Sequence, residues 1–489
     1  MFGIRSPAPG HSEPQWVRIS LCLILLVAGI SYTWSIQRAP LFGYYATAVR
    51  TMSSDWRLFF FGGFDSSGWL TVDKLPGAFW IQAIVVRILG FSSWTLIGPQ
   101  VVEGLITIVI TFRLVRRYSG AAGALVGASV VAVMPVFTAV SRGNVSDTLS
   151  TLLVMLAAHA TLQAVSLNQF RSLALAAMWV AAAFQAKMIQ AWLVLPVMAA
   201  VYLLAAHPRL ITRLLHVAVA TLISVVGSLL WMIAVSMVPG SARPWFDGSP
   251  HNSVFEQVFV YNALGRLQDD TSFGIARVNV HAGAGPVGLR FSSDQLHITT
   301  LRVQNVASIQ YSRLFYGPFA LGVGWLLPLA LVSGLVALWS RRREPRTDLL
   351  RAATVMWLLW IIGHVIVFSI LHHVNNYYTA VLVAPVGALI GSATYLMSRA
   401  VFDGRRSGRW WSSAALGGNA LYAAILLGSA GPQWFYVRLP ALALCAATIA
   451  VILFRRSHAL ITLLGLASLL IVPAIGSVAL DSHDGGPYT

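Results

Sequence analysis

The chain has 489 residues, of which 57% are hydrophobic and only 10% charged, and its mean hydropathy is +0.73. Soluble globular domains carry about 25% charged residues and disordered chains are poor in apolar ones, so both classes are excluded and a polytopic membrane protein remains. The excess of 33 basic over 16 acidic residues gives a formal charge of +17, but these residues are scattered between apolar runs, which argues against nucleic acid as a partner.

A short polar N-terminus leads into an apolar span at 16–36, about 20 residues and enough for a ~30 Å hydrocarbon core. No convincing small-residue cleavage site follows it, so it reads as an uncleaved signal anchor. Residues 37–94 form a first outer loop with an interfacial helix near 44–52 and an amphipathic helix at 76–89. Further spans are expected at 95–115, 121–140, 148–165, 173–184, 189–206, 214–237, 316–339, 349–371, 377–397, 413–430, 439–454 and 459–480, 13 in all. A second outer loop, 239–315, is rich in Gly, Ser, Asn and Asp and long for a plain connector. The expected fold class is therefore an all-α polytopic membrane protein, one unit over 1–489 with no soluble C-terminal domain.

Arginine clusters fix the orientation. Arg116-Arg117, Arg209 and Arg213, Arg341-Arg342-Arg343 and Arg346, Arg405-Arg406 and Arg409, and Arg455-Arg456 fall on the side of the N-terminus and Arg5, which the positive-inside rule makes cytoplasmic. A span at 76–89 would invert every later loop, so that segment is left at the outer interface. Eleven of the 16 acidic residues then lie outside, and the chemistry is expected there. The two cysteines, Cys22 and Cys445, sit in apolar stretches and offer neither a disulfide framework nor a metal site. Of the 33 basic residues 31 are Arg, and the only lysines are Lys74 and Lys187.

Candidate residues gather in the outer segments. In the first loop, Asp65 and then Asp73-Lys74-Leu75-Pro76 combine carboxylates that can accept a proton from a sugar hydroxyl with a lysine that can hold a phosphate oxygen; a surface ion pair with a turn is the alternative. Arg142-Gly143-Asn144-Val145-Ser146-Asp147 places Arg142, Asn144 and Asp147 together. An Arg beside an Asp suits phosphate or carboxylate recognition, while Asp147 as a helix N-cap is the simpler reading. Lys187 lies in a turn between two spans, and ionisable residues near the membrane are functional candidates. The long loop carries Arg243, Asn252, Glu256, Asn262 and Arg266 among aromatics, as sugar binding or any folded loop would require. His373 and Tyr377 lie in the late outer run His372-His373-Val374-Asn375-Asn376-Tyr377-Tyr378-Thr379. Adjacent histidines seldom share one ion, and no metal site is expected. The sequence has no Walker A motif, no G-x-G-x-x-G after a strand and no H-E-x-x-H.

The strings Tyr44-Tyr45-Ala46…Met52, Thr71-Val72-Asp73-Lys74-Leu75-Pro76-Gly77-Ala78-Phe79-Trp80, Arg142-x-Asn144-x-x-Asp147, Asn252-Ser253…Tyr261-Asn262-x-Leu264-Gly265-Arg266 and Asn376-Tyr377-Tyr378-Thr379…Ala384-Pro385 resemble glycosyltransferase family 39, the protein-mannosyltransferase-like and aminoarabinose-transferase-like enzymes of the GT-C fold. The likeness covers most of 37–391. It implies about 13 transmembrane helices with outer juxtamembrane helices, a polyprenyl-phosphate-linked sugar as donor, an envelope acceptor, and transfer with inversion on the outer face of the plasma membrane. No cofactor is implied. It further implies that Lys74, Lys187 and Arg266 meet the lipid phosphate, a role its place beside Asp147 also suggests for Arg142, and that Asp147 is a functional outer carboxylate. Many relatives carry an acid at the start of the first loop, where this chain has Phe42-Gly43, so the base is expected to be another carboxylate, Asp65 first and Asp73 or Asp147 next. Two other readings remain open at this point, a non-catalytic subunit of the same fold and a transporter of the lipid-linked sugar.

Overall fold

The computed structural model describes residues 13–39, 41–267, 311–372, 374–402, 406–429, 435–454 and 458–482. Its helices in chain order are α1 (Gln15–Thr33), α2 (Gly43–Ser54), α3 (Trp56–Phe61), α4 (Gly77–Leu89), α5 (Ser93–Val133), α6 (Pro135–Ser141), α7 (Asp147–Leu167), α8 (Phe170–Lys187), α9 (Ile189–Trp192), α10 (Leu195–Ala205), α11 (Leu210–Ser236), α12 (Pro318–Val323), α13 (Leu327–Ser340), α14 (Leu349–Ile370), α15 (Val383–Phe402), α16 (Arg406–Ser429), α17 (Phe435–Leu453) and α18 (His458–Ser482). Among the described residues there is no strand beyond two isolated bridges, Gly63 with Thr71 and Leu70 with Trp245.

Eight helices among the described residues are long and apolar enough to cross a membrane. That count differs from the 13 spans of the sequence reading, partly because α5 holds two of them. Its 41 residues are interrupted at Gly120, with φ 68° and ψ −178°, and the chain doubles back there. The Cβ position of Gly104, on the first half, lies 2.7 Å from the Ser141 hydroxyl in α6, a contact that an unbroken rod excludes. Burial follows position in the bundle. α7 is buried along most of its length, whereas α1 leaves Leu23, Leu26 and Val27 more than half exposed, as a helix facing lipid does.

Four expected spans are not continuous helices. The 121–140 span breaks at Met134, 189–206 at Leu193-Val194, 316–339 at Gly324–Leu326, and 377–397 starts as a 3₁₀ helix, Asn376–Leu382. A proline stands just inside the new helix each time, Pro135, Pro196, Pro328 and Pro385, where its missing N–H costs nothing. All four breaks cluster at one end of the bundle, the end that carries α2, α3 and α4. Non-helical backbone at membrane depth persists where protein buries it or it lines a cavity.

The arginine-rich loops gather at the opposite end. Arg116 Nε lies 3.1 Å from Glu13, Arg341 pairs with Asp348 at 2.6 Å, and Arg346 donates to the carbonyl oxygens of Ala206 and His207.

Candidate active site

Two loop segments far apart in sequence are stitched together above the broken helices. Thr71 N–H donates to Trp245 O at 2.9 Å, and Trp245 N–H donates to Trp69 O at 2.7 Å. Gln257, buried on the π-helical turn Glu256–Tyr261, donates to Val72 O and Asp247 O at 2.8 and 3.0 Å. These bonds hold the loop that ends in Asp73-Lys74 against the start of the long outer loop.

Beneath this seam lie the two lysines. Lys187, the last residue of α8, donates to Asp147 Oδ2 at 2.6 Å, and both side chains are buried. The next residue, Met188, is a non-glycine at φ 51°, so the backbone turns sharply as α8 delivers the ammonium. Lys187 Nζ also stands 4.1 Å from the centre of the Tyr378 ring. Lys74 is buried, donates to the Tyr45 hydroxyl and lies 3.5 Å from Asp73 Oδ1. Burial and its like-charged neighbours Lys187 and Arg266 hold the Lys74 ammonium well below the usual lysine range. Gly77 opens the approach of the two segments, because a Cβ there would sit 2.7 Å from both Cβ and O of Gln185.

Asp73 keeps a 17% exposed side chain, and its Oδ1 accepts no hydrogen bond. Burial first, and the nearby Asp247 second, push its carboxyl up to about 7 against the pull of Arg266 and Lys187. Arg266 donates to Asn262 Oδ1 at 3.2 Å, and Asn262 in turn donates to Asp73 O at 2.8 Å. The Arg266 guanidinium stands 5.5 Å from the Tyr378 ring centre, and its carbonyl accepts from His372 N–H at 2.9 Å. The result is a cluster of two buried lysines and the half-buried Arg266, with Asp147 and Asp247 around them and one carboxylate, Asp73, able to exchange its proton near neutrality. Among the described residues no three His, Cys, Asp or Glu side chains are grouped to hold a metal.

Residues 73–231, which start inside this cluster, match the model of the dolichyl-phosphate-mannose-protein mannosyltransferase family. The chain is similar to "Putative mannosyltransferase YycA" of Bacillus subtilis (strain 168), 29% identical over 527 residues that cover 94% of this chain and 76% of that one. Its fold matches ArnT from Cupriavidus metallidurans bound to undecaprenyl phosphate, with a TM-score of 0.54 at 16% identity over 96% of this chain and 78% of that one. It also matches the arabinosyltransferase EmbB from Mycobacterium smegmatis, with a TM-score of 0.54 at 15% identity over 98% of this chain and 42% of that one. The chain shares the GT-C fold of these enzymes.

Within this GT-C fold the sequence-derived candidates divide. Asp73, Lys74, Asp147, Lys187, Asn262 and Arg266 come together in the cluster. Tyr377 flanks it, its ring centre 5.2 Å from Lys187 Nζ and its hydroxyl accepting from Asn375 at 2.8 Å. Asp65 does not join. Its carboxylate closes a turn, accepting from Leu70 N–H at 2.7 Å, from Ser67 N–H at 3.0 Å and from the Ser67 hydroxyl. Partial burial raises its carboxyl, but these hydrogen bonds outweigh that and hold it below the usual range, the wrong direction for a base at neutral pH.

Arg142 is buried and donates to Ser31 O at 2.6 Å, the outer end of α1. Asn144 clasps Phe42, accepting from its N–H at 2.7 Å and donating to its O at 3.1 Å. Arg243 donates to Val238 O and Asn252 O, while Asn252 Oδ1 accepts from Phe246 N–H. Glu256 accepts from Ser249 at 2.6 Å and contacts His251 Nδ1 at 2.7 Å. These five residues build the loops. His373 lies outside the described residues. Asp247, Tyr44, Tyr45 and Tyr378 belong to the cluster although they were not singled out. Their one sequence signal is position, since Asp247 is an outer acid and the tyrosines fall in the strings that carry the family resemblance.

Proposed function

We propose that the chain transfers a sugar, hexose or pentose, from a polyprenyl-phosphate donor to an envelope acceptor (glycan, lipid or protein) on the outer face of the plasma membrane, with inversion. One observation carries this reading. Lys74 and Lys187, both buried, and Arg266 converge beside Tyr378, and a lipid phosphate offsets the burial and mutual repulsion that hold the Lys74 ammonium low while its tail stays between the helices. The solved ArnT structure of similar fold holds undecaprenyl phosphate, which supports the same donor class here.

The chemistry follows from the groups present. Asp73, rather than Asp65, takes the proton of the acceptor hydroxyl, because its Oδ1, buried 3.5 Å from Lys74, accepts no hydrogen bond and its carboxyl is held near neutrality. The acceptor oxygen bonds to the anomeric carbon as the bond from that carbon to the phosphate oxygen breaks. The departing phosphate keeps the electron pair, and the three cations meet the charge where it develops. Asp147 keeps Lys187 aimed inward through the 2.6 Å pair.

The full chain in proteoliposomes with polyprenyl-phosphate mannose and a membrane-extract acceptor provides the test. Release of polyprenyl phosphate is expected from the wild type and lost in Lys74→Ala and Asp73→Asn. Undiminished transfer in both variants overturns the site, and passage of intact lipid-linked sugar across the bilayer without release supports a transporter instead.

A further inference from the structure

We propose that Asp247, acting through the Tyr44 hydroxyl, is a positioning residue for Asp73: it fixes the Asp73 backbone and makes Asp73 the stronger base. The proposal rests on Asp73 being the base of the reaction described above. Tyr44 O–H donates to Asp247 Oδ2 at 2.6 Å, and the same hydroxyl oxygen accepts from Asp73 N–H at 2.9 Å. One phenol thus joins a carboxylate from the long loop to the main chain of a residue in the first loop, 203 positions separating Tyr44 from Asp247.

Asp247 is fully buried and tied to the residues just before Asp73. Its N–H donates to Thr71 Oγ1 at 3.2 Å, and its carbonyl shares the Gln257 amide with Val72 O. Structure alone does not call for a charge here. An asparagine accepts the same bond from Tyr44 without placing a second buried carboxylate beside Asp73, and like charges in one site disfavour ionisation of both. The charge is explained if its work is to raise the proton affinity of Asp73. The charged groups facing Asp73 are Asp247, which favours its protonation together with burial, and Lys74, Lys187 and Arg266, which oppose it; the Tyr44 and Tyr261 phenols also face it and stay uncharged. Burial and Asp247 act together against the cations, so without Asp247 the proton affinity of Asp73 falls.

Dicyclohexylcarbodiimide reacts with protonated carboxyls in apolar surroundings, so its labelling of Asp73 in the full-length protein, followed by peptide mass spectrometry across pH, reads this directly and needs no acceptor. The wild-type midpoint is expected at about 7. Asp247→Asn is expected to lower it by about one pH unit or more, and Asp247→Glu, which keeps the charge, to hold it near the wild-type value. Asp247→Ser takes the place of Asp247→Asn where the latter does not fold. A wild-type midpoint at about 4, or a midpoint unmoved in the neutral variants, overturns the proposal. Asp73→Asn in the transfer assay separates the two claims: full transfer by that variant removes Asp73 as base, whereas loss of transfer together with an unmoved labelling midpoint removes only the role of Asp247.

Discussion

At the arginine-rich end of the bundle, Arg346 donates to Ala206 O at 2.6 Å and Arg409 to Leu453 O at 2.9 Å, and each guanidinium closes a loop. At the other end, Lys74 and Lys187 are buried among aromatic rings and one another's fields. Arginine keeps its charge anywhere and forms several bonds from a rigid fork, so it suits anchoring at a surface. Lysine is a compact charge whose proton affinity yields to its surroundings. The contrast teaches that the arginines of one end bond the carbonyls of neighbouring loops, while at the other end cations are crowded together in buried surroundings, the arrangement that a phosphate relieves under the proposed function.

The largest test of this contrast is Lys187→Ala. It strands buried Asp147 without its 2.6 Å partner, and breaking a buried pair costs about 3–5 kcal/mol. The thermal midpoint of the solubilised protein should fall sharply. The double change with Asp147→Asn should recover much of that stability but not transfer. Equal midpoints for Lys187→Ala and wild type break the comparison.

Next comes the pair Lys74→Ala and Arg346→Ala. Removing one group that stabilises charge in the transition state costs about 10²–10³ in rate, so Lys74→Ala should lose transfer on that scale. Arg346→Ala should leave transfer at the wild-type level and cost about 1 kcal/mol of stability. Reversal of the two outcomes in steady-state transfer assays overturns the assignment of ends.

A smaller effect is expected from Gly77→Ala, whose new Cβ meets backbone and side chain of Gln185 at 2.7 Å. Overpacking of this kind costs about 1–3 kcal/mol, and here it spreads Lys74 from Lys187. Transfer should fall about tenfold or more, while Gly418→Ala, with open space around it, should cost nothing.

The smallest effect concerns pH and Asp65. Asp73 has a folded-state carboxyl raised to about 7, so between the ordinary carboxylate range and 7 the folded chain holds a proton that the unfolded chain has released. Its contribution to stability therefore falls as pH rises through that window, while the basic form needed for transfer grows. A rate that climbs through about pH 7 in wild type and in Asp65→Asn alike sharpens the assignment of Asp73. A climb that Asp65→Asn abolishes returns the role to Asp65.

Much of this was legible from residue type and spacing. The apolar runs located the helices, and the scarcity of lysine marked Lys74 and Lys187. The breaks in four spans carried a signal too, a proline just inside each new helix. The outer polar residues were harder to sort. Arg243, Asn252 and Glu256 carry the same groups as a sugar site, yet here they satisfy the backbone of their own loop. Whether a polar side chain faces inward to its loop or outward to a ligand depends on backbone geometry that composition does not encode. Asp247 was missed for a related reason, because its partner Tyr44 lies 203 residues away and no local pattern links them.

The seam between Trp69–Val72 and Trp245–Gln257 also sets an order of events during synthesis. A nascent chain that has emerged only as far as the end of α11 already carries Asp73, Lys74, Asp147 and Lys187. It still lacks Asp247, Arg266 and Tyr378, and with them the contacts that orient the first loop. The cluster is therefore complete only after the segment holding Tyr378 has been made, so the charged site cannot assemble on a half-made protein.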